Sequence, residues 1–242
     1  MKNNSYSYLI VGNGKLSKHF QYLFAIKSIS FKLWFRGSKE SFESLCNEAE
    51  KILVLIKDDE IINFIEANRQ FVDQPKIWIH CSGMISTPLA ESAHPLMTFT
   101  DKLYEPQIYN SIPFITEKNR LSFKELFPDL NNPNFQIESQ DKILYHAFSV
   151  MSGNFTTILW QCFFDFLTSR NIPQAIAYTY LDRIIHNLKD DNSPLTGPIQ
   201  RKDVNTIYKH LEALENNPFR NVYISFLEAY DQIKTGAEIE NN

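Results

Sequence analysis

The chain has 242 residues, 43% of them hydrophobic and 21% charged, with a formal net charge of −4. That length suits one large domain or two modest ones and buries enough surface to need no disulfide or metal staple. The negative balance argues against a general nucleic-acid binder, which carries a basic face, but leaves room for a local basic pocket.

Residues 6–11 read as a short apolar strand. Residues 15–27 have helical spacing, with Leu16, Phe20, Leu23 and Phe24 on one face. A second strand is expected over 31–35 and a helix over 41–51. Residues 52–56 are almost uniformly aliphatic, as in a strand buried on both faces of a parallel sheet. A helix over 59–71, a strand over 77–80 and two further strands over 112–115 and 135–137 follow. This alternation predicts a Rossmann-type α/β domain with a doubly wound, mainly parallel sheet.

The turn cluster Asn131-Asn132-Pro133-Asn134 then changes the character of the chain. From Lys142 onward no strand is legible. Residues 142–170 form one long apolar helical stretch, hydrophobic around most of its circumference and therefore expected to be buried. Helices over 173–188, 202–214 and 218–234 complete the chain. The expected organisation is a dinucleotide-binding domain over 1–139 and an all-α domain over 140–242, with the substrate cleft between them. The apolar helix around Trp160 suits a homodimer contact, and equally a monomer in which the other helices wrap it. No stretch approaches a membrane span, and the run after Met1-Lys2-Asn3-Asn4-Ser5 is too short for a signal-peptide core. Cys46, Cys81 and Cys162 lie far apart and read as reduced thiols of a cytoplasmic protein. No metal cluster is visible; Asp190-Asp191 is a turn doublet without partner ligands.

The chemistry begins at Gly12-Asn13-Gly14-Lys15-Leu16-Ser17, which follows the first strand and opens the first helix. In that context the pattern is a dinucleotide-binding turn. Gly12 permits the tight turn, Gly14 lets backbone approach a pyrophosphate, and Ser17 takes the place of the third glycine. An NAD enzyme places Asp or Glu at the end of the second strand. This chain has Arg36, then Gly37, Ser38 and Lys39, which favours the 2′-phosphate of NADP: two cations and a hydroxyl can meet it. After the third strand, Asp58 or Asp59 is expected to cap the next helix.

Further blocks occur in order: His80-Cys81-Ser82-Gly83, His94-Pro95-Leu96-Met97-Thr98-Phe99, Tyr145-His146-Ala147, and Thr196-Gly197-Pro198-Ile199-Gln200-Arg201-Lys202-Asp203. With the glycine turn, they resemble the Rossmann-like proteins that carry a C-terminal DUF2520 domain, a family related to ketopantoate, pyrroline-5-carboxylate and β-hydroxyacid oxidoreductases. The resemblance implies NADPH-dependent reduction of a small keto acid, 2-dehydropantoate to pantoate. A pyrroline-like imine, another keto acid, or NADP sensing without chemistry are the alternatives. Ketopantoate reductases carry a catalytic lysine early in the first long helix of the second domain and an asparagine further along it. Aligning that asparagine with Asn154 puts His146, rather than Lys142, near the lysine position.

Reduction of a keto acid needs a proton for the oxygen and a hold on the carboxylate. His146 is the first choice of proton donor, with Lys142 one turn earlier on the same face as the rival. Asn154 is expected to hold the substrate carbonyl or the nicotinamide amide, and Ser82 to touch nicotinamide or substrate. Arg201 is the natural carboxylate clamp, or else pairs with Asp203. His94, made extended by Pro95, is expected on a loop lining the cleft or in a purely structural role.

Overall fold

The computed structural model describes residues 6–190 and 195–240. The chain start 1–5, Asp191 of the acidic doublet, and residues 241–242 lie outside the described residues. Strands β1 (Tyr6–Val11), β2 (Phe31–Trp34), β3 (Ala49–Val54), β4 (Ile77–His80), β5 (Glu91–Pro95), β6 (Phe114–Glu117) and β7 (Asn134–Ile137) form one sheet in the order 2-1-3-4-5-6-7. Neighbours from β2 through to β5 are parallel, β5 and β6 antiparallel, and β6 and β7 parallel again. Helices α1 (Lys15–Ile26), α2 (Phe42–Glu48), α3 (Asp58–Asn68), α4 (Pro106–Ser111) and α5 (Phe123–Leu126) connect them. The expected doubly wound α/β sheet is present.

The central strands bury both faces. Tyr8 and Ile10 pack into one apolar cluster with Phe20, Leu23 and Phe24 of α1. Leu9 and Val11 point the other way, into a second cluster with Phe42, Leu45 and Ile61 of α2 and α3. Alternation of side chains along a strand puts these two sets on opposite faces.

The elements depart from expectation at two places that bear on the sheet. The helix expected over 41–51 stops at Glu48, because Ala49 to Lys51 pair with Tyr6 to Tyr8 of β1. Sheet pairing at that register overrides local helical spacing. Strand β5 was not legible at all: Glu-Ser-Ala-His-Pro has little β propensity, and its two neighbours in the sheet define it. His94 therefore lies on a strand rather than on a loop.

From Lys142 onward every element among the described residues is helical. Helix α6 (Lys142–Val150) runs through a π-turn (Met151–Phe155) into α7 (Thr156–Ser169) without a break. The expectation that this stretch is buried fails: Ile143, Leu144, Phe148, Phe155, Ile158 and Phe166 are exposed. Only one side of α6 is held, through Lys142, Tyr145 and His146. The chain divides into compact units at Cys162/Phe163, inside this helix, because its first half is anchored to the sheet. The second unit contains α8 (Tyr178–Asp190), α9 (Pro198–Arg201), α10 (Val204–Ala213) and α11 (Phe219–Glu240). Within it, Tyr223 Oη and His210 Nδ1 join α11 to α10 at 2.9 Å, and Tyr230 donates to Gln200 of α9 at 2.5 Å. Among the described residues, no helix is long and apolar enough to cross a membrane and no group of three or more His, Cys, Asp or Glu could hold a metal.

Candidate functional site

The sheet order reverses at β1, and the glycine turn leaves the carboxyl end of that strand. Gly12 has φ +112°, and a Cβ there would lie 2.2 Å from the Leu55 carbonyl oxygen. Its N–H donates to Trp34 O at 2.8 Å, which ties the turn to β2. The buried Ser17 hydroxyl donates to Gly12 O at 2.6 Å, so the third position of the pattern is used as a turn clamp. Gly14 is the N-cap of α1 in an extended conformation, and a Cβ on it would meet nothing within 4 Å. The turn thus opens a space in front of the first N–H groups of α1, Lys15, Leu16 and Ser17, which have no partners within a helix. Such a terminus favours an anion. Asn13 is exposed, Leu16 packs on the core, and Lys15 pairs with Asp101 at 3.3 Å.

A groove of about 590 Å³ continues from Gly12 past Trp34, Phe35 and Arg36 to Lys57, Glu60 and Phe64 of the β3–α3 corner. Arg36 lies at its mouth, its side chain 91% exposed, 3.7 Å from Glu60. Ser38 and Lys39 do not line it. The Ser38 hydroxyl accepts the Phe35 N–H at 2.9 Å and closes the turn after β2.

A second groove, of about 730 Å³, is lined by His94, Met97, Tyr145, His146 and Asn154 among others. The ring of His146 packs directly on Gly83, where a Cβ would approach its Cδ2 to 2.5 Å and His94 Cδ2 to 3.2 Å. His94 Nδ1 and the Tyr145 hydroxyl share a hydrogen bond of 2.8 Å. Eight residues of α-helix would leave Asn154 about 80° away from His146. The wider π-turn takes up that excess and returns Asn154 to the same groove. The loop after His94 is clamped to α1 by buried His19, which bonds Tyr109 Oη at 2.7 Å and Thr100 O at 3.0 Å.

The other expected site residues are committed elsewhere. Ser82 donates to Asp58 Oδ2 at 2.5 Å and accepts the N–H groups of Met84 and Ile85, so it joins β4 to α3 and leaves no free hydrogen-bonding capacity. Asp58 is therefore a tie to Ser82, and neither it nor Asp59 caps α3, whose N-cap is Lys57. Lys142, 3% exposed, donates to Ile85 O, Ser92 Oγ and Glu117 Oε1, the last at 3.0 Å. All three protons of its ammonium are used, and it faces the sheet instead of the groove. Arg201 lies in the second unit and binds Asp203 Oδ2 through Nε and Nη2 at 2.9 and 2.6 Å. Gly83, Tyr145 and Glu117 carry much of this geometry, yet only their motif context marked the first two and nothing local marked the third.

Burial, then the positive charge of Lys142, holds the His80 imidazole down to about 3. Its Nδ1 accepts the Ser82 N–H, and its buried Nε2 has no partner among the described residues. Burial, then His146 and Lys142, holds His94 down to about 4. In the unfolded chain both titrate near 6.5. Below that pH the unfolded chain gains protons that the folded protein refuses, so stability is full above pH 6.5 and falls toward pH 4. His94 alone accounts for about 3 kcal/mol of that loss. Urea midpoints between pH 7.5 and 4 should fall steeply for the wild type and less steeply for His94→Asn; parallel curves would contradict a neutral, half-buried His94.

Fold and grooves together define a Rossmann-type α/β domain followed by a helical region. Residues 114–229 match the family described as "Domain of unknown function (DUF2520)". No curated protein sequence matches the chain. Among solved structures, a Bacteroides fragilis protein named for an inferred NADP oxidoreductase activity shares 18% identity at a TM-score of 0.76, over 94% of this chain and 98% of its own. Pyrroline carboxylate reductase from Plasmodium falciparum, solved with NADP bound, shares 15% identity at 0.56, over 93% and 96%. An imine reductase from Bacillus cereus shares 12% at 0.58, over 95% and 94%.

Proposed function

We propose that this chain is an NADPH-dependent reductase of a small keto acid, with 2-dehydropantoate, reduced to pantoate, as its substrate. The observation that carries the reading is the convergence of His94, Tyr145, His146 and Asn154 on one groove, in the same α/β unit as an open glycine turn. A sensor that only binds dinucleotide needs no such convergence. The excluded Cβ at Gly12 and the open space at Gly14 fit a pyrophosphate at the start of α1, and Arg36 fits a 2′-phosphate. When bound, NADPH supplies the hydride. His146 delivers the proton to the carbonyl oxygen, and the Asn154 amide orients that carbonyl. Neutral His94 keeps Tyr145 in place through its hydrogen bond.

A C=N substrate is the second reading. It is favoured by the likeness of the fold to a pyrroline carboxylate reductase and an imine reductase. The three free thiols fit a cytoplasmic enzyme. Among the described residues of the second unit only Leu167 and Ala177 are buried apolar side chains, which supports a homodimer that covers the helical region. Light scattering should give twice the 28.3 kDa chain mass; a monomer at all concentrations would refute the dimer.

The test is NADPH oxidation by purified protein with 2-dehydropantoate, 1-pyrroline-5-carboxylate and a simple 2-keto acid in parallel. Turnover with 2-dehydropantoate alone is expected. Turnover with the imine alone selects the second reading, and none at all, despite tight NADPH binding, removes both. His146→Ala should lower turnover about 10²–10⁴-fold with NADPH affinity unchanged.

A further inference from the structure

We propose that Glu60 is a specificity-determining residue that works against Arg36 and widens cofactor choice toward the non-phosphorylated dinucleotide. The inference rests on the NADPH reading above. Arg36, Lys57 and Glu60 line the same groove, and Arg36 Nη2 lies 3.7 Å from Glu60 Oε2. Glu60 is one of three acids in the first turn of α3. Asp58 is turned onto Ser82, and Asp59 does not line the groove. Glu60 is thus, among the described residues, the acid that lines this groove, and its N–H donates to Lys57 O at 2.9 Å, which fixes its backbone.

This arrangement has opposite consequences for the two cofactors. A 2′-phosphate draws on the guanidinium that Glu60 already engages, and it brings a second anion next to the carboxylate. A free 2′-hydroxyl meets no such repulsion, and a carboxylate within reach can accept its hydrogen bond. Both side chains are solvent-exposed, at 91% and 55%, so their attraction is modest and the guanidinium can leave it. Arg36 supplies discrimination and Glu60 limits it.

Binding of NADPH and of NADH can be titrated separately through the emission of Trp34, which lines the groove. Glu60→Gln should tighten NADPH about two- to five-fold and leave NADH unchanged or weaker. In an Arg36→Ala background the same substitution should no longer tighten NADPH. A purely structural role for Glu60 would move both cofactors alike. An unchanged or smaller NADPH preference in Glu60→Gln, or the same gain without Arg36, would overturn the proposal while the cofactor reading stands. If the wild type binds neither dinucleotide, both fall.

Discussion

Lys142→Met is expected to destabilise the α/β unit by about 3–5 kcal/mol. The pair it breaks is buried on both sides, Lys142 at 3% and Glu117 at 2% exposure, with 3.0 Å between Nζ and Oε1. Burial alone would raise the Glu117 carboxyl, but hydrogen bonds from Ser139, Ser86 and Lys142 hold it below its ordinary value. Burial lowers the Lys142 ammonium, and Glu117 offsets part of that. Removing the cation leaves a buried carboxylate with two hydroxyl donors and, in place of its ion pair, only the more distant charge of Arg120. The helix carrying His146 also loses its anchor to β5 and β6. Urea unfolding would show the loss, and Lys142→Met combined with Glu117→Gln should recover part of it, because the remaining group is neutral. A loss of less than about 1 kcal/mol would mean that the pair behaves as a surface ion pair. As a proton donor, Lys142 would be lost without such a change in stability.

Gly12→Ala and Gly14→Ala should separate folding from cofactor binding. At Gly12 two penalties add: φ of +112° and a Cβ 2.2 Å from a backbone carbonyl that β3 holds in place. The expected cost is about 2–5 kcal/mol, with NADPH binding lost as the turn moves. At Gly14 the backbone is extended and the space is open, so alanine should cost at most about 1 kcal/mol, mainly as a poorer N-cap. Its methyl group would stand where the pyrophosphate approaches α1, so NADPH affinity should drop at least about tenfold while the melting temperature stays near that of the wild type. A Gly14→Ala protein that binds NADPH normally would remove the glycine turn from the cofactor site.

Local sequence was a good guide wherever a signal is short-range. The aliphatic runs of β1 and β3, the helical spacing of Leu16, Phe20, Leu23 and Phe24, and the loss of strands after Lys142 are all properties of neighbours along the chain. The pattern of the glycine turn is equally local, lying within residues 12–17, although Trp34 and Leu55 hold Gly12 from outside it. His146 and Asn154 lie on one continuous helical stretch, but only the π-turn between them, which helical spacing does not reveal, puts both in the same groove.

What only the tertiary structure decided involves partners distant in sequence. Lys142 looked like a second proton donor on the face of His146, but Glu117 and Ser92, on strands 25 and 50 residues away, turn it into a buried anchor. Ser82 looked like a cofactor contact, but Asp58, 24 residues earlier, takes its hydroxyl. β5 has no propensity of its own and exists because β4 and β6 flank it; that pairing brings His94 beside Gly83 and His146. The pattern of apolar residues determines which segments become strands and helices. The free energy of burying charge and satisfying hydrogen bonds, which depends on the partner across the fold, determines which polar side chains remain free to act.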